Sequence, residues 1–177
     1  MNQQGVPVIA DATVLIALSK IGRLRLLERL YGQALITPAV REETVAHGRR
    51  AYALQVRLIE AGIEEGWVQE TRLSPDEEEM ALKIVEDPRL HRGEAESIAA
   101  AELRRLPVVL DDKEARTLAA AMGIRHWGTA AVIFSACVRG VMPYEDLEVA
   151  LRELGRVMWL SPDVITELLR RARGMSR

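Results

Sequence analysis

The chain has few of the residues on which covalent, zinc or membrane chemistry depends. Its 177 residues include one cysteine, Cys137, so no disulfide can form within the chain, and the apolar run around that cysteine predicts a thiol in the core. The three histidines are scattered, which argues against a Cys/His zinc site and against a Ser/His/Asp triad. No apolar run approaches the ~20 residues of a membrane helix, and the start MNQQGVPV has no basic segment of the kind that opens a signal peptide. We therefore expect a cytoplasmic protein with no membrane partner.

Positive charge and aromatic residues are also scarce. The formal net charge is −2 at pH 7, and aromatic residues make up 4% of the chain. A protein that coats nucleic acid would be more basic, and a platform for stacked bases would need more aromatic rings. The remaining composition, 49% hydrophobic and 28% charged, is typical of a globular domain. We expect a single domain over residues 1–177, with a core of about 6–140 and a C-terminal helical extension of about 143–174.

Short β-rich segments alternate with helical segments along the whole chain. Gly32 and Gly123 are predicted helix ends, and Ser74 is a predicted helix cap. Residues 157–160 are a candidate edge strand. The alternation predicts an α/β fold, a three-layer α/β/α sandwich around a central, mainly parallel sheet. The predicted strands are residues 6–10, 34–37, 67–70, 107–110 and 124–127, and the predicted helices lie near 12–22, 23–32, 38–48, 50–65, 74–86, 93–106, 111–123, 129–140, 143–155 and 161–173.

Acidic residues follow two predicted strands and begin two predicted helices. Because the carboxyl ends of parallel strands meet at one edge of a sheet, four separate segments could deliver carboxylates to the same place. Mg²⁺ and Mn²⁺ prefer such oxygen ligands, and metal sites of this kind support phosphoryl displacement. The pattern therefore predicts a shared metal site. The candidate residues are Asp11, Glu42, Glu43, Glu94, Asp111 and Asp112.

Each acid also has an ordinary structural interpretation. Asp11 or Asp112 alone could be a helix N-cap, and Thr13 could be a capping hydroxyl. Glu42 and Glu94 could be acids that interact favourably with the first turn of a helix. The metal hypothesis thus rests on the set of acids and not on any one of them.

Four segments in the order of the chain resemble the PIN domain, a nuclease fold, and most closely the small prokaryotic proteins allied to VapC-type toxins. They are VIADATVLIALSKIGRLRLLERLYG, ITPAVREETV, GEAESIAAAELRRLPVVLDDKEAR and GIRHWGTAAVI, within residues 8–133. The resemblance implies a Mg²⁺- or Mn²⁺-dependent endoribonuclease in an α/β/α sandwich, in which a metal-activated water attacks an RNA phosphodiester. It also implies a homodimer and, for a toxin, an antitoxin protein as partner.

The resemblance assigns roles by matching positions in this chain. The first acid is Asp11, with the hydroxyl of Thr13 two places on. The third is Glu94, or less well Glu96, which together with Glu102 otherwise reads as solvated helix face. It is a Glu where the family usually has Asp, and Leu110 stands where the family often has Thr. The implied catalytic residues are Asp11, Glu43, Glu94 and Asp112, the implied metal ligands are Asp11, Glu94, Asp112 and Asp111, and the supporting residues are Thr13, Glu42 (the rival of Glu43) and Thr129.

Basic residues near the expected rim are candidates for holding the RNA backbone, although each taken singly reads as a solvated cation. They are Lys20, Arg41, Arg92, Lys113 and Arg116. The C-terminal helices carry an apolar stripe that predicts core packing for most of its length and, through the resemblance, a homodimer contact. Its members are Leu147, Leu151, Leu154, Val164, Ile165, Leu168 and Leu169.

Three other functions are alternatives to the nuclease. A phospho-receiver would place an acidic pair after the first strand, and a haloacid-dehalogenase-type phosphatase would have a second Asp in place of Thr13. Neither pattern is present. The alternative left open is a non-catalytic PIN-like module that binds RNA or protein and has a weak metal site.

Overall fold

The computed structural model describes residues 5–46 and 53–175. Within these ranges one sheet contains the strands Val8–Ala10 (β1), Ala34–Ile36 (β2), Val68–Glu70 (β3), Val108–Val109 (β4) and His126–Trp127 (β5). All of its pairs are parallel, and the spatial order is β3-β2-β1-β4-β5. The α/β prediction is therefore confirmed. The predicted helix end at Gly48, the start of the next helix near Arg50 and the histidine at 47 lie outside the described residues.

The helices follow the strands in the order expected for crossover connections. They are Ala12–Lys20 (α1), Leu26–Tyr31 (α2), Pro38–Arg41 (α3), Ala53–Glu64 (α4), Pro75–Ile84 (α5), Arg92–Arg104 (α6), Lys113–Ala121 (α7), Thr129–Val138 (α8), Tyr144–Val157 (α9) and Pro162–Met175 (α10). A π-helical segment, Glu42–Ala46, continues α3. Among the described residues, no helix is long and apolar enough to cross a membrane.

The sheet is buried on both faces because its side chains alternate between two apolar clusters. Val8 and Ala10 pack with α1, α2, α4, α8 and α9 on one face. Ile9 and Leu110 pack with α6 and α7 on the other face, and α5 lies against α6. This arrangement gives the three layers that the sequence predicts. It also holds the ends of β1 and β4, where acids follow, in a rigid position.

Several local signals act as predicted. Gly32 and Gly123 end helices with φ values of 75° and 73°, which glycine adopts without a steric penalty. Ser74 accepts a hydrogen bond from the backbone N–H of Glu77, whose carboxylate accepts one from Ser74 N, so the pair forms a capping box.

The predicted edge strand at residues 157–160 is wrong. Helix α9 extends to Val157, and the N–H of Met158 still donates to the carbonyl of Leu154. Residues 158–160 form no strand, since the described sheet ends at β3 and β5. Most of the C-terminal stripe is core, as predicted: Leu147, Leu151 and Leu154 are fully buried, and Ile165, Leu168 and Leu169 of α10 pack half-buried against the same cluster. Val164 is exposed.

Candidate metal centre

The strand order contains a switch point between β1 and β4. From β1 the chain crosses to β2 on one side, and from β4 it crosses to β5 on the other. In open α/β sheets, ligands bind in the crevice outside the carboxyl ends of the two strands at such a point. Ala10 pairs with Val109, and Asp11 N donates to the carbonyl of Val109 at 3.2 Å. Asp11 therefore stands at one side of the crevice, and Asp111 and Asp112 stand at the other.

Asp11 is the N-cap of α1 and is almost fully buried, with 3% of its surface exposed. Its Oδ2 accepts hydrogen bonds from the N–H of Thr13 at 3.2 Å and from the hydroxyl of Thr13 at 3.1 Å. Burial raises the pKa of Asp11 above its ordinary value, and these bonds offset only part of the increase. The predicted capping role of Thr13 is therefore present, but it leaves the buried charge of Asp11 without full compensation.

The two aspartates after β4 differ in their hydrogen bonds. Asp112 caps α7 by accepting a bond from Ala115 N at 2.9 Å through Oδ1. Both oxygens of Asp111 are bound to Thr129, at 2.8 Å to its N–H and 2.6 Å to its hydroxyl. This close contact requires glycine at position 128, because a Cβ there would lie only 2.9 Å from Asp111 Oδ1. Asp111 thus ties the start of α8 to the end of β4, whereas Asp112 keeps its Oδ2 outside the capping bond.

The first turn of α6 brings in two glutamates. Glu94 is buried, and its Oε2 accepts a hydrogen bond from His91 N at 2.8 Å, as in a capping box. The carboxylate of Glu43 lies against Gly93, whose backbone N–H is among the groups that lower its pKa. A Cβ on Gly93 would be only 2.9 Å from Glu43 Oε1. The π-helical segment therefore directs Glu43 onto Gly93, whereas Glu42 lies 3.9 Å from the guanidinium of Arg92.

The acids influence one another electrostatically. Burial is the main cause of a raised pKa for Glu94, and the charges of Asp11 and Asp112 add to it. Burial likewise raises the pKa of Glu43, and Asp11 adds to that increase. Asp111 contributes to the raised pKa of Asp11. Like charges disfavour ionisation in this way when they share a poorly solvated region. Asp11, Glu43, Glu94 and the two aspartates after β4 thus belong to one electrostatic neighbourhood.

The carboxylates are not drawn together into a ligand set. In the part of the chain that the structure describes, no three His, Cys, Asp or Glu side chains lie close enough to hold a metal ion. The capping bonds engage Oδ2 of Asp11, Oε2 of Glu94 and Oδ1 of Asp112. Each of these carboxylates keeps a second oxygen that a cation could bind. The chemistry of the donors fits Mg²⁺ or Mn²⁺, because both ions prefer carboxylate oxygens.

The nearby cation Arg92 is paired with other acids. Its Nε donates to Glu96 Oε1 at 2.8 Å, and its guanidinium lies 3.9 Å from Glu42. Among the ion pairs of the described residues, none joins a Lys or Arg to Asp11, Glu43 or Glu94. A divalent cation is thus the kind of partner that would stabilise the charged forms of these three acids.

The interpretation of Glu96 as solvated helix face is wrong. Glu96 is buried, and its Oε2 accepts a hydrogen bond from the N–H of Ala39 at 2.9 Å. The first N–H groups of α3 have no partner within their own helix, so a neighbouring carboxylate satisfies one of them. Glu96 is therefore committed to the junction of α3 and α6, while Glu94 faces the other acids.

The predicted RNA-binding residues are not all near the centre. Lys20 ends α1, nine residues after Asp11 and so about 13.5 Å from it along the helix axis. Arg41 pairs with Glu70 at 3.0 Å. Lys113 begins α7 directly after Asp112, and Arg116 Nη1 lies 3.9 Å from the position of a Cβ on Gly128. Arg92, Lys113 and Arg116 flank the acids, and Lys20 does not.

His91 is a neighbour of the centre that the sequence did not reveal. It is exposed at the start of α6, and its charge lowers the pKa values of both Glu43 and Glu94. The only sign of this role in the sequence is that His91 lies three positions before Glu94, and that spacing has many ordinary explanations.

The comparison with family models agrees with the α/β fold. A family model described as a PIN domain matches residues 7–174, which is nearly the whole chain. No curated protein matches the chain. The match covers β1, both aspartates after β4 and the first turn of α6, the elements that carry the acids. The chain therefore belongs to the PIN-domain family.

Proposed function

We propose that this protein is a Mg²⁺- or Mn²⁺-dependent endoribonuclease. The PIN fold is nuclease-like, and PIN domains typically use divalent metals, which supports a hydrolase in general terms. The observation that carries the narrower proposal is the carboxylate of Asp11, which is 3% exposed, has a raised pKa and stands at the switch point of the sheet. Burying a charge is unfavourable unless a partner compensates it, and a metal ion at this place would do so.

The residues have distinct roles in this proposal. Asp11, Glu94 and Asp112 would hold the metal, and Glu43 would orient a water through its carboxylate. A bound divalent ion lowers the pKa of water and neutralises charge on the phosphate. Asp111 would act indirectly by fixing Thr129 and the start of α8.

Cations at the rim would then bind the RNA backbone. Lys113 and Arg116 lie on the β4 side of the acids, and Arg92 lies on the α6 side. Charge-assisted bonds from such side chains to phosphate are strong and independent of base sequence. A phosphodiester would therefore be held between two basic flanks and above the carboxylates.

A cleavage assay tests the proposal directly. A panel of single-stranded RNAs should be cut in Mg²⁺ or Mn²⁺ and left intact in EDTA. Cleavage that persists in EDTA, or no cleavage of any RNA with either ion, would contradict the proposal.

The contact between Gly93 and Glu43 gives a first prediction. Gly93→Ala should displace the Glu43 carboxylate, because the added Cβ would lie 2.9 Å from Glu43 Oε1. The fold should survive, since the atom that must move is the end of a flexible side chain. RNA cleavage should fall about 10- to 100-fold, the usual effect of disturbing a group that orients a metal site. Gly174→Ala is the matched control, as a Cβ there meets nothing within 4 Å. Equal rates for both variants would remove Glu43 from the proposed site.

One observation favours the alternative, a non-catalytic module that binds RNA or protein. Asp11, Asp112 and Glu94 all have ordinary capping bonds in the described structure. If those bonds are their whole function, RNA would be bound but not cut, and Asp11→Asn would leave the affinity for RNA unchanged in EDTA and in Mn²⁺ alike.

The resemblance to VapC-type proteins extends the proposal to a toxin with an antitoxin protein as partner, acting in the cytoplasm as a homodimer. Apolar side chains exposed on α9, α10 and the segment between them support the dimer, above all Trp159, which is 88% exposed. Light scattering at tens of micromolar should give twice the monomer mass, and Trp159→Ser should shift the mass toward the monomer. A monomer mass for the wild type would contradict this prediction.

A further inference from the structure

An apolar cavity adjoins the candidate metal centre. Its volume is about 450 Å³, within the range of pockets that hold small organic groups. Its walls come from α5, α6 and the start of α3, and we call it the α5–α6 pocket. The apolar lining consists of Pro38, Leu73, Ala81, Leu82, Val85 and Ala95.

The first turn of α6 connects the α5–α6 pocket to the acids. Arg92, Ala95 and Glu96 are spaced as neighbours on one side of a helix, and all three line the pocket. Gly93 and Glu94, between them in sequence, contact Glu43 and the acidic neighbourhood. One helical turn thus separates an apolar cavity from the site where a phosphate would be cut.

The charges at the mouth of the pocket favour a nucleotide over an apolar peptide. Arg92 stands on the rim between the cavity and the acids, with 67% of its side chain exposed, and a phosphate would share its guanidinium with Glu96 and Glu42. Glu96 does not present a free charge, because Ala39 N and Arg92 occupy its oxygens. Glu78 lies on the rim as well and would repel a phosphate backbone. The backbone would therefore pass on the Arg92 side, which is also the side of the acids.

We propose that the α5–α6 pocket binds one nucleobase of single-stranded RNA, that of a nucleotide near the scissile phosphate, while Arg92 binds the phosphate between them. The inference rests on the proposed function for the position of the scissile phosphate. It adds a contact to a base, which the carboxylates cannot provide. It also accounts for how a chain with few aromatic residues could hold a base, since Leu82, Val85 and Ala95 supply apolar surface in place of a stacking ring.

Binding without cleavage tests the pocket separately from the nuclease activity. Fluorescence anisotropy is measured with Asp11→Asn protein, in which cleavage of the RNA probe is expected to be suppressed. The probes are a short single-stranded RNA and a series in which one abasic ribose replaces each nucleotide in turn. Leu82→Ser with Val85→Ser removes the apolar wall at two partly exposed positions. Leu54→Ser with Val138→Ser is the control, because exposures of 66% and 38% match the 67% and 37% of the pocket pair.

We expect one abasic position to weaken binding about tenfold, because the abasic ribose no longer buries a base against the apolar wall. The pocket variant should bind the intact RNA about tenfold more weakly and should lose no further affinity at that abasic position. The control variant should behave as the parent does. RNA binding with this pattern supports the pocket even if the wild type cuts no RNA.

The proposal is overturned if no abasic position matters, or if the parent protein does not bind RNA. It is also overturned if the pocket variant keeps full affinity for RNA. The occupant of the pocket would then be a protein segment. If the wild-type protein cleaves RNA and any of these results is found, the proposed nuclease activity stands and the proposed base-binding pocket is rejected.

Discussion

Asp11→Asn is expected to reduce metal-dependent RNA cleavage at least about a hundredfold, because disturbing even an indirect neighbour of a metal site commonly costs 10- to 100-fold. The substitution removes one charge from the centre and keeps the shape of the side chain. Asn caps helices about as well as Asp, so the hydrogen bonds from Thr13 can persist. The loss of cleavage would then report the charge and not the cap. Rates measured on the best RNA of the panel, in Mn²⁺ and in Mg²⁺, provide the test.

The same variant should be at least as stable as the wild type in EDTA. Burial raises the pKa of Asp11, so the folded protein holds that proton more tightly than the unfolded chain does. The charged carboxylate therefore costs stability as pH rises from its ordinary pKa through the raised value, and Asn removes this cost. Asp163→Asn, at an exposed acid in the first turn of α10, is the control: it should leave the cleavage rate unchanged and should not raise the thermal midpoint. If Asp11→Asn cleaves RNA at the wild-type rate, Asp11 serves only as a helix cap.

Glu94→Gln should reduce cleavage, whereas Glu96→Gln should reduce stability. Glu94 lies among the other acids, so Glu94→Gln should cost cleavage about a hundredfold while Gln keeps the capping bond from His91 N. Glu96 binds Ala39 N and the exposed Arg92, so Glu96→Gln should cost about 1 kcal/mol of stability. Its cleavage rate should stay within a few-fold of wild type.

Urea unfolding and RNA cleavage measured on both variants separate these roles. If Glu94→Gln is stable and fully active while Glu96→Gln is inactive, Glu96 is the third acid of the site. Equal losses of activity in both would place both residues in the site.

Much of the fold follows from signals that are local in the sequence. Short apolar runs such as VPVIA and PVVL, which contain β1 and β4, predict strands without long-range information when both faces of the sheet are covered. Gly32, Gly123 and Ser74 mark helix ends through backbone and capping preferences that belong to those residues themselves. The parallel alternation of elements predicts that Asp11 and the aspartates after β4 lie at one edge of the sheet. The pairing of β1 with β4, which makes these acids neighbours, does not follow from the sequence pattern.

The remaining features depend on contacts between distant segments. The burial of Glu96 follows from the unpaired N–H of Ala39, 57 residues earlier, which no local pattern announces. The choice of Glu43 over Glu42 as the neighbour of Gly93 follows from a π-helical turn, whose register differs from that of an α-helix. The mistaken strand at 157–160 arose because β-prone residues continue the apolar side of α9.

Calorimetric titration of the protein with Mn²⁺ tests the shared metal site most directly, and the thermal midpoint provides a second readout. The wild type should bind Mn²⁺ and its midpoint should rise with metal concentration, because a ligand that binds only the folded state stabilises it by mass action. Asp11→Asn should lose most of the binding heat and of the rise, whereas Asp163→Asn should keep both. No binding by the wild type at millimolar Mn²⁺ or Mg²⁺ would contradict a metal centre built from Asp11, Glu94 and Asp112.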